Sequence, residues 1–395
     1  IRNIIIYHRR GKWFLEESRK FDSAALLFAY YMNNPIMLDK VSILLQRGVG
    51  FCRWEYTHRN LKLVKTVGRG AYGEVKLAEL RKRNGKVLAV AVKTLSRKTG
   101  IKVSPKLIKE ILKESRIMRR LRHPNIVSFI GVVLVDHPLY IILEYVQGGA
   151  LDSYLRKNKD KITSEERMKL VMGVAWGMEY LHQNNIIHRD IAARNCLCDK
   201  TFSVKISDFG LSRKGSVYKM KTMQKMPIKY MAPESLSCFL FSPKTDVYTF
   251  GILVYEVYAC KEPYQGCSTA EVRSMVIAGK VNKLPDNVPS DVASFVNDKV
   301  WNINPVNRPD SHQIVQFFEK KTGLNLPQSA FDDLLTDANT MEASRSEPQS
   351  AKAHETSTKT AILEVMEQSH EQNAPKPVFG ALADLGNFQF CQLQC

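Results

Sequence analysis

The chain has 395 residues and a formal net charge of +19, with 44% hydrophobic and 25% charged residues. That length allows two to three units at roughly 150 residues each, and the balance is that of an ordinary globular chain, not a fibrous or low-complexity one. No apolar run approaches the roughly 18–20 residues of a membrane span and Ile4–Ile6 is too short for a signal peptide, so a cytoplasmic protein is expected, opening at Ile1 as a fragment would.

In chain order, short β-like runs at Ile4–Tyr7 and Lys12–Leu15 flank the turn Arg9-Arg10-Gly11. An apolar-rich helix is expected over Ser23–Tyr31. About fifty residues make a marginal core alone, so residues 1–50 read as part of a domain, with 51–60 as a linker. Strand-like alternation follows at Leu61–Val67, Glu74–Leu80 and Val87–Leu95, then helical spacing at Leu107–Leu121. Two more β-like runs, Ile126–Val135 and Leu139–Val146, close the β-rich part. After Gly148-Gly149 the pattern turns helical. Thr163 and Glu166 have the spacing of a capping box. Met168, Val171, Met172, Ala175, Met178 and Leu181 then recur at helical period. Strands followed by helices imply two lobes joined by a short hinge. From about residue 324 the sequence is rich in Gln, Ser, Thr, Ala and Glu without periodicity and reads as a disordered tail.

Residues 326–395 hold four basic and ten acidic residues, a net of −6 that leaves +25 on the rest. A basic body suits an anionic partner: nucleic acid, phospholipid, a phosphate cofactor or an acidic peptide. Charge alone does not choose among them, and a solvated basic surface fits equally. The eight cysteines form no pair of Cys-x-x-Cys knuckles and read as reduced thiols. Cys196 and Cys198 lack a third ligand nearby, so no zinc site is expected.

Gly68-Arg69-Gly70-Ala71-Tyr72-Gly73 lies between two strand-like runs and is followed by Val75. Glycines let backbone approach a phosphate and aim N–H groups at it, though a tight hairpin has the same composition. No Gly-Lys-Ser/Thr closes the loop and a strand, not a helix, follows, which excludes a P-loop and a Rossmann turn. Lys93, in the apolar run Ala91-Val92-Lys93, needs an anionic partner if it is buried. Glu114 lies 21 residues on, in the expected helix. Taken singly, either is an ordinary surface charge.

The decisive cluster is His188-Arg189-Asp190-Ile191-Ala192-Ala193-Arg194-Asn195, then Asp208-Phe209-Gly210 and Met231-Ala232-Pro233-Glu234. With the glycine loop, Lys93 and Glu114 before it, this order resembles a protein kinase. The resemblance implies an α+β, bilobal protein kinase fold over 61–323, with a β-rich N-lobe and a helical C-lobe. It implies ATP and Mg2+ as cofactors. Lys93, held by Glu114, would steady the α- and β-phosphates, and Asn195 and Asp208 would hold magnesium through oxygen. Asp190 would orient the acceptor hydroxyl and take its proton. The loop Gly68, Arg69, Gly70, Ala71, Tyr72 and Gly73 would cover the phosphates. Val67, Val75, Ala91 and Leu197 would sandwich adenine, with Leu143 as gate and Glu144 to Val146 offering backbone hydrogen bonds. Asp246 would brace the catalytic loop, Glu234 would pair with Arg308, and Met118, Phe129, His188 and Phe209 would stack as a spine.

Ala192 and Arg194, where serine/threonine kinases usually carry Lys at the former position, resemble tyrosine kinases. So does Met226-Pro227-Ile228-Lys229-Tyr230, although tryptophan is commoner than Tyr230 and likewise than Tyr248. Protein tyrosines are therefore the expected substrate. Tyr218, between Asp208 and Glu234, is expected as an autophosphorylated activation switch, with Arg189 as partner. Ile1-Arg2-Asn3-Ile4-Ile5-Ile6, Lys12-Trp13-Phe14-Leu15, Phe21-Asp22-Ser23, Asn33-Asn34-Pro35-Ile36 and Trp54-Glu55 resemble the second half of a Src-homology-2 domain and its linker. That arrangement is similar to the Fes/Fer family of non-receptor tyrosine kinases. The complete module implies phosphotyrosine proteins as partners, and the basic surface implies peripheral membrane association. The alternative reading is a catalytically weak pseudokinase scaffold acting through its adapter and tail; loss of Lys93, Asp190 or Asp208 would favour it, and all three are present. A nucleic-acid partner is not expected, because no aromatic-interleaved basic motif or reader module is legible.

Overall fold

The computed structural model describes residues 6–38, 41–45, 51–70, 73–94, 105–134, 138–220 and 226–326. Ala71 and Tyr72 of the glycine loop, and the tail from residue 327, fall outside the described residues.

The N-terminal unit opens with a hairpin of β1 (Tyr7–Arg9) and β2 (Lys12–Phe14). Arg10 and Gly11 both take positive φ, 51° and 71°, as a two-residue hairpin turn requires. That turn fixes the register, so the first strand runs to Arg9 instead of stopping at Tyr7. Helix α1 (Ala24–Asn33) begins where the Ser23 hydroxyl accepts from the Leu26 N–H at 3.2 Å, an N-cap. Its Leu27 and Tyr31 pack with Trp13 and Ile36 in a small core. A second hairpin follows, β3 (Ile36–Leu38) with β4 (Val41–Ile43).

A five-stranded antiparallel sheet comes next, in the order β5 (Leu61–Gly70), β6 (Gly73–Arg81), β7 (Val87–Thr94), β9 (Tyr140–Glu144), β8 (Phe129–Val133). Strand side chains alternate between faces. Ala78, Leu80, Val90, Val92 and Ile142 therefore form one core together with Tyr56. Ala91 and Lys93 fall on the opposite face, paired with Leu143 and Ile141. The segment 51–60 lies against β8: Val132 N–H donates to Trp54 O at 2.8 Å, and Tyr56 N–H to Val132 O at 2.9 Å. Gly131 makes this possible, since a Cβ there would stand 2.4 Å from Trp54 O.

The run expected as one strand over Ile126–Val135 is shorter. Ile126 and Val127 turn to a second neighbour, Val127 N–H donating to Ile206 O at 3.0 Å. Helix α2 (Pro105–Met118) stops before Leu121. Arg120 and Leu121 N–H groups tighten onto Ile117 and Met118 carbonyls, and Pro124 follows.

The second lobe is helical: α3 (Leu151–Asn158), α4 (Ser164–Gln183), α5 (Pro233–Cys238), α6 (Pro243–Ala259), α7 (Thr269–Ile277), α8 (Ser290–Phe295) and α9 (Ser311–Thr322). The capping box at α4 forms, with Thr163 and Glu166 bonded both ways. Its predicted stripe, Met168 to Leu181, is buried. Helix α6 is buried on all sides, 13 of its 17 residues, so its acids Asp246 and Glu256 need partners. Three two-stranded ribbons pin the intervening loops: β10 (Ile186–Ile187) with β13 (Arg213–Lys214), β11 (Cys196–Cys198) with β12 (Val204–Ile206), and β14 (Tyr218–Lys219) with β15 (Leu240–Phe241). Among the described residues no helix is long and apolar enough to cross a membrane, and no group of His, Cys, Asp and Glu clusters as a metal site.

Candidate active site

The two lobes meet at Lys93. Its Nζ lies 2.8 Å from Glu114 Oε1 and 3.2 Å from Asp208 Oδ1. Strand β7, helix α2 and the turn after β12 each supply one member. Burial alone would lower the Lys93 pKa, but the two carboxylates outweigh it and hold the ammonium above its ordinary value. Burial raises the Glu114 carboxyl. Asp208 is kept below the usual carboxylate range because Lys93 overcomes its burial. Asp208 takes a left-handed φ of 58° and its side chain accepts from Gly210 N–H. That turn aims the carboxylate at Lys93 and drives Phe209 inward.

The loop 188–195 lies between β10 and β11 and hangs from α6. Asp246, fully buried, accepts from His188 N–H at 2.7 Å and Arg189 N–H at 2.8 Å. His182 Nε2 also reaches it at 3.1 Å. Asp190 is held by the Arg194 guanidinium and by the Asn195 amide, whose Nδ2 lies 2.7 Å from Asp190 Oδ2. The Asn195 nitrogen is thus spent inside the loop, on the Asp190 backbone and side chain. The structure therefore brings Lys93, Glu114 and Asp208 into one cluster and Asp190, Arg194 and Asn195 into another.

The cleft positions sit as their strands dictate. Gly68 pairs with Val75, Val75 with Lys93, and Ala91 with Leu143. Arg69 pairs with Glu74 and Gly70 with Gly73, which continues the hairpin to its tip. Val67 is 42% exposed at the opening. Val146 is buried, and Leu197 on β11 bridges Ala150. The Glu144 side chain turns away to Ser128 N–H and Lys205, which leaves only its backbone for the cleft. His188 and Phe209 meet edge to face at 5.1 Å, and Met118 and Phe129 are buried in the same large core.

Tyr218 lies on β14 beside two guanidiniums: Arg189 stands 4.7 Å and Arg213 5.2 Å from its ring centre. Burial, with Arg213 adding to it, lowers the Arg189 pKa to about 10. The Nε atoms of both arginines are buried without a hydrogen-bond partner among the described residues. Sequence reasoning named Arg189 and missed Arg213, whose signal was only its place five residues before Tyr218.

Glu234 and Arg308 pair through two contacts, 2.7 and 2.9 Å. Beyond them a cavity of about 590 Å³ opens beside the loop 188–195, lined among others by Arg194, Met226, Pro227, Tyr230, Glu256 and Cys260. Glu256 was also missed, although it interrupts the most apolar stretch of the sequence, Gly251–Tyr258.

The family described as protein tyrosine and serine/threonine kinase matches residues 61–318. The chain belongs to that family. Fer-related kinase 1 of Caenorhabditis elegans is 34% identical over 318 residues, 79% of this chain and 80% of that relative. Tyrosine-protein kinase Fer of Rattus norvegicus is 35% identical over 313 residues, 77% of this chain. The transforming protein Fps of Avian sarcoma virus, also a tyrosine-protein kinase, is 38% identical over 298 residues, 74% of this chain. The chain spans 37% of the length of rat Fer and 54% of Fps. The described lobes are thus those of a protein-tyrosine kinase domain with Fer-like relatives.

Proposed function

We propose that this chain is an active, cytoplasmic, non-receptor protein-tyrosine kinase that transfers the γ-phosphoryl group of ATP to tyrosine hydroxyls of proteins. The observation that carries the reading is the joined set Glu114–Lys93–Asp208 beside Asp190 and Asn195. Phosphoryl transfer needs positioning and charge more than covalent chemistry, and this set offers both. Lys93 holds the α- and β-phosphates, fixed by Glu114. Asp190, steadied by Arg194 and Asn195, orients the acceptor hydroxyl and accepts its proton. The glycine loop 68–73 covers the phosphates, while Val67, Val75, Ala91 and Leu197 enclose adenine, Leu143 gates the inner pocket, and the backbone of 144–146 bonds the base.

Mg2+ fits the oxygen donors present. Asp208 stays ionised and Asn195 has its amide oxygen free of the loop's own bonds, the hard ligands that this ion requires. When bound it supplies charge neutralisation at the phosphates.

Tyr218 is the activation switch in this reading. Buried Arg189 and half-buried Arg213, each with a buried and unspent Nε donor, favour an anion, and a phosphate on Tyr218 adds about −1.5 to −2 charge beside them. Residues 1–50 are the second half of a Src-homology-2 domain, a reading supported by the order hairpin, Ser23-capped helix, hairpin; 51–60 is the linker, 61–323 the kinase domain and 324–395 the tail. Phosphotyrosine proteins bind the complete module, and the basic surface favours an anionic membrane face. Phosphosite mapping after incubation with ATP and Mg2+ tests the switch. Modified Tyr218 and a lag in activity that Tyr218→Phe abolishes are expected. Equal activity of Tyr218→Phe after preincubation would remove Tyr218 from the account.

A further inference from the structure

Arg189 is 3% exposed, and its guanidinium is held mostly by weak partners. Nη1 donates to Leu211 O at 3.0 Å. Nη2 meets two thioether sulfurs, Met220 Sδ at 3.7 Å and Met226 Sδ at 3.8 Å. The ring of Phe241 lies 4.0 Å and that of Tyr218 4.7 Å from the guanidinium carbon. A thioether is a weak acceptor, and a buried cation is costly without strong ones. The Nη2 edge of Arg189 is therefore the place where a new oxygen gains most.

The two sulfurs differ in access. Met220 is 7% exposed, whereas Met226 is half-buried and lines the cavity of about 590 Å³ beside Pro227. We propose that Met226 is a modification site: a peroxide converts its thioether to the sulfoxide, whose oxygen takes the Arg189 Nη2 donor and withholds it from phosphate on Tyr218. The inference rests on the reading of Tyr218 as the switch. In the step, a sulfur lone pair of Met226 attacks one peroxide oxygen and the O–O bond breaks. That oxygen stays on sulfur, and the other leaves as water with both protons. Sulfur is oxidised by two electrons and the peroxide is reduced. Methionine sulfoxide reductases reverse the change.

The test exposes the full chain to hydrogen peroxide, removes the peroxide with catalase, and then preincubates with ATP–Mg2+. Peptide mapping by mass spectrometry reads the oxidised methionines. The activity gain on preincubation is measured with a tyrosine peptide, each protein being compared with its own untreated sample. Met226 is expected to oxidise at least about tenfold faster than the fully buried Met172 and Met178. The gain of treated wild type is expected to fall at least about threefold, within the range of one hydrogen bond to a charged group. Methionine sulfoxide reductases A and B with a thiol are expected to restore it. The thiol alone, which reverses the oxidation of exposed Cys238, is not.

Met32 and Met37 are exposed and oxidise too, so Met226→Leu separates them. Leucine keeps the apolar volume but has no sulfur, and this variant is expected to keep its gain after peroxide. An unchanged gain in wild type with Met226 oxidised would overturn the proposal. So would a loss that persists in Met226→Leu, a loss repaired by thiol alone, or oxidation of Met226 no faster than that of Met172. No gain in untreated wild type would overturn the reading of Tyr218 as the switch, and this inference with it.

Discussion

Lys93 Nζ and Glu114 Oε1 lie 2.8 Å apart, although 21 residues of sequence separate them. The same ammonium reaches Asp208 from the other lobe at 3.2 Å. One cation thus ties the sheet, helix α2 and the Asp208 turn together, and the cluster is assembled only when all three are in place. Lys93→Met removes the tie and leaves two carboxylates facing each other. It is expected to lower kcat for peptide phosphorylation at least about 100-fold, as loss of one preorganised charge does, with the circular dichroism spectrum retained. A loss below tenfold would detach Lys93 from the chemistry.

Asp246 receives both backbone donors of His188 and Arg189. In Asp246→Ala these N–H groups stay buried without partners. Unfolding in urea should show a loss of about 2–4 kcal/mol, together with a fall in kcat. Unchanged stability would mean that the loop finds other acceptors.

Gly131→Ala places a Cβ 2.4 Å from Trp54 O and 2.6 Å from the Tyr56 ring. Backbone must move to admit it. A destabilisation of about 1–3 kcal/mol is expected, with faster proteolysis across 51–60. Wild-type protection of that segment would show that it is not seated on β8.

Glu256 carries a pH signature. Burial pushes its carboxyl up to about 7, against the opposing bonds from Ala193 and Tyr230 and the nearby charge of Arg194; Asp152 pushes it in the same direction as burial. The folded state therefore holds a proton that the unfolded chain has lost above its ordinary carboxylate pKa. The resulting stabilisation is full below that pKa and is lost as pH rises through about 7, at up to about 1.4 kcal/mol per pH unit. Urea unfolding of wild type and Glu256→Gln across this window should differ by that slope, the variant being flatter. Parallel curves would show that the carboxyl titrates normally.

Much of the site was legible because its members fall in one order along the chain. Lys93 could be placed on a strand and Glu114 on a helix from periodicity, and the structure brings the two into contact with Asp208. What stayed illegible depends on neighbours distant in sequence. Ile126 and Val127 read as part of the strand that follows, yet they turn to Ile206, a partner that no local pattern reveals. Glu256 lies in a helix whose surroundings are apolar on every side, so periodicity marks it only as core. Its partners Ala193 and Tyr230 precede it by 63 and 26 residues. Arg213 has the composition of a surface residue until β13 pairs with β10 and turns it toward Tyr218.

The most direct test of the central claim is transfer of labelled phosphate from ATP–Mg2+ to a Glu/Tyr copolymer, measured beside Asp190→Asn. The account predicts phosphotyrosine with wild type and a loss of about 10²–10⁴ in the variant, the usual contribution of a positioned base. Equal labelling by both proteins, or ATP binding without transfer by wild type, would contradict it.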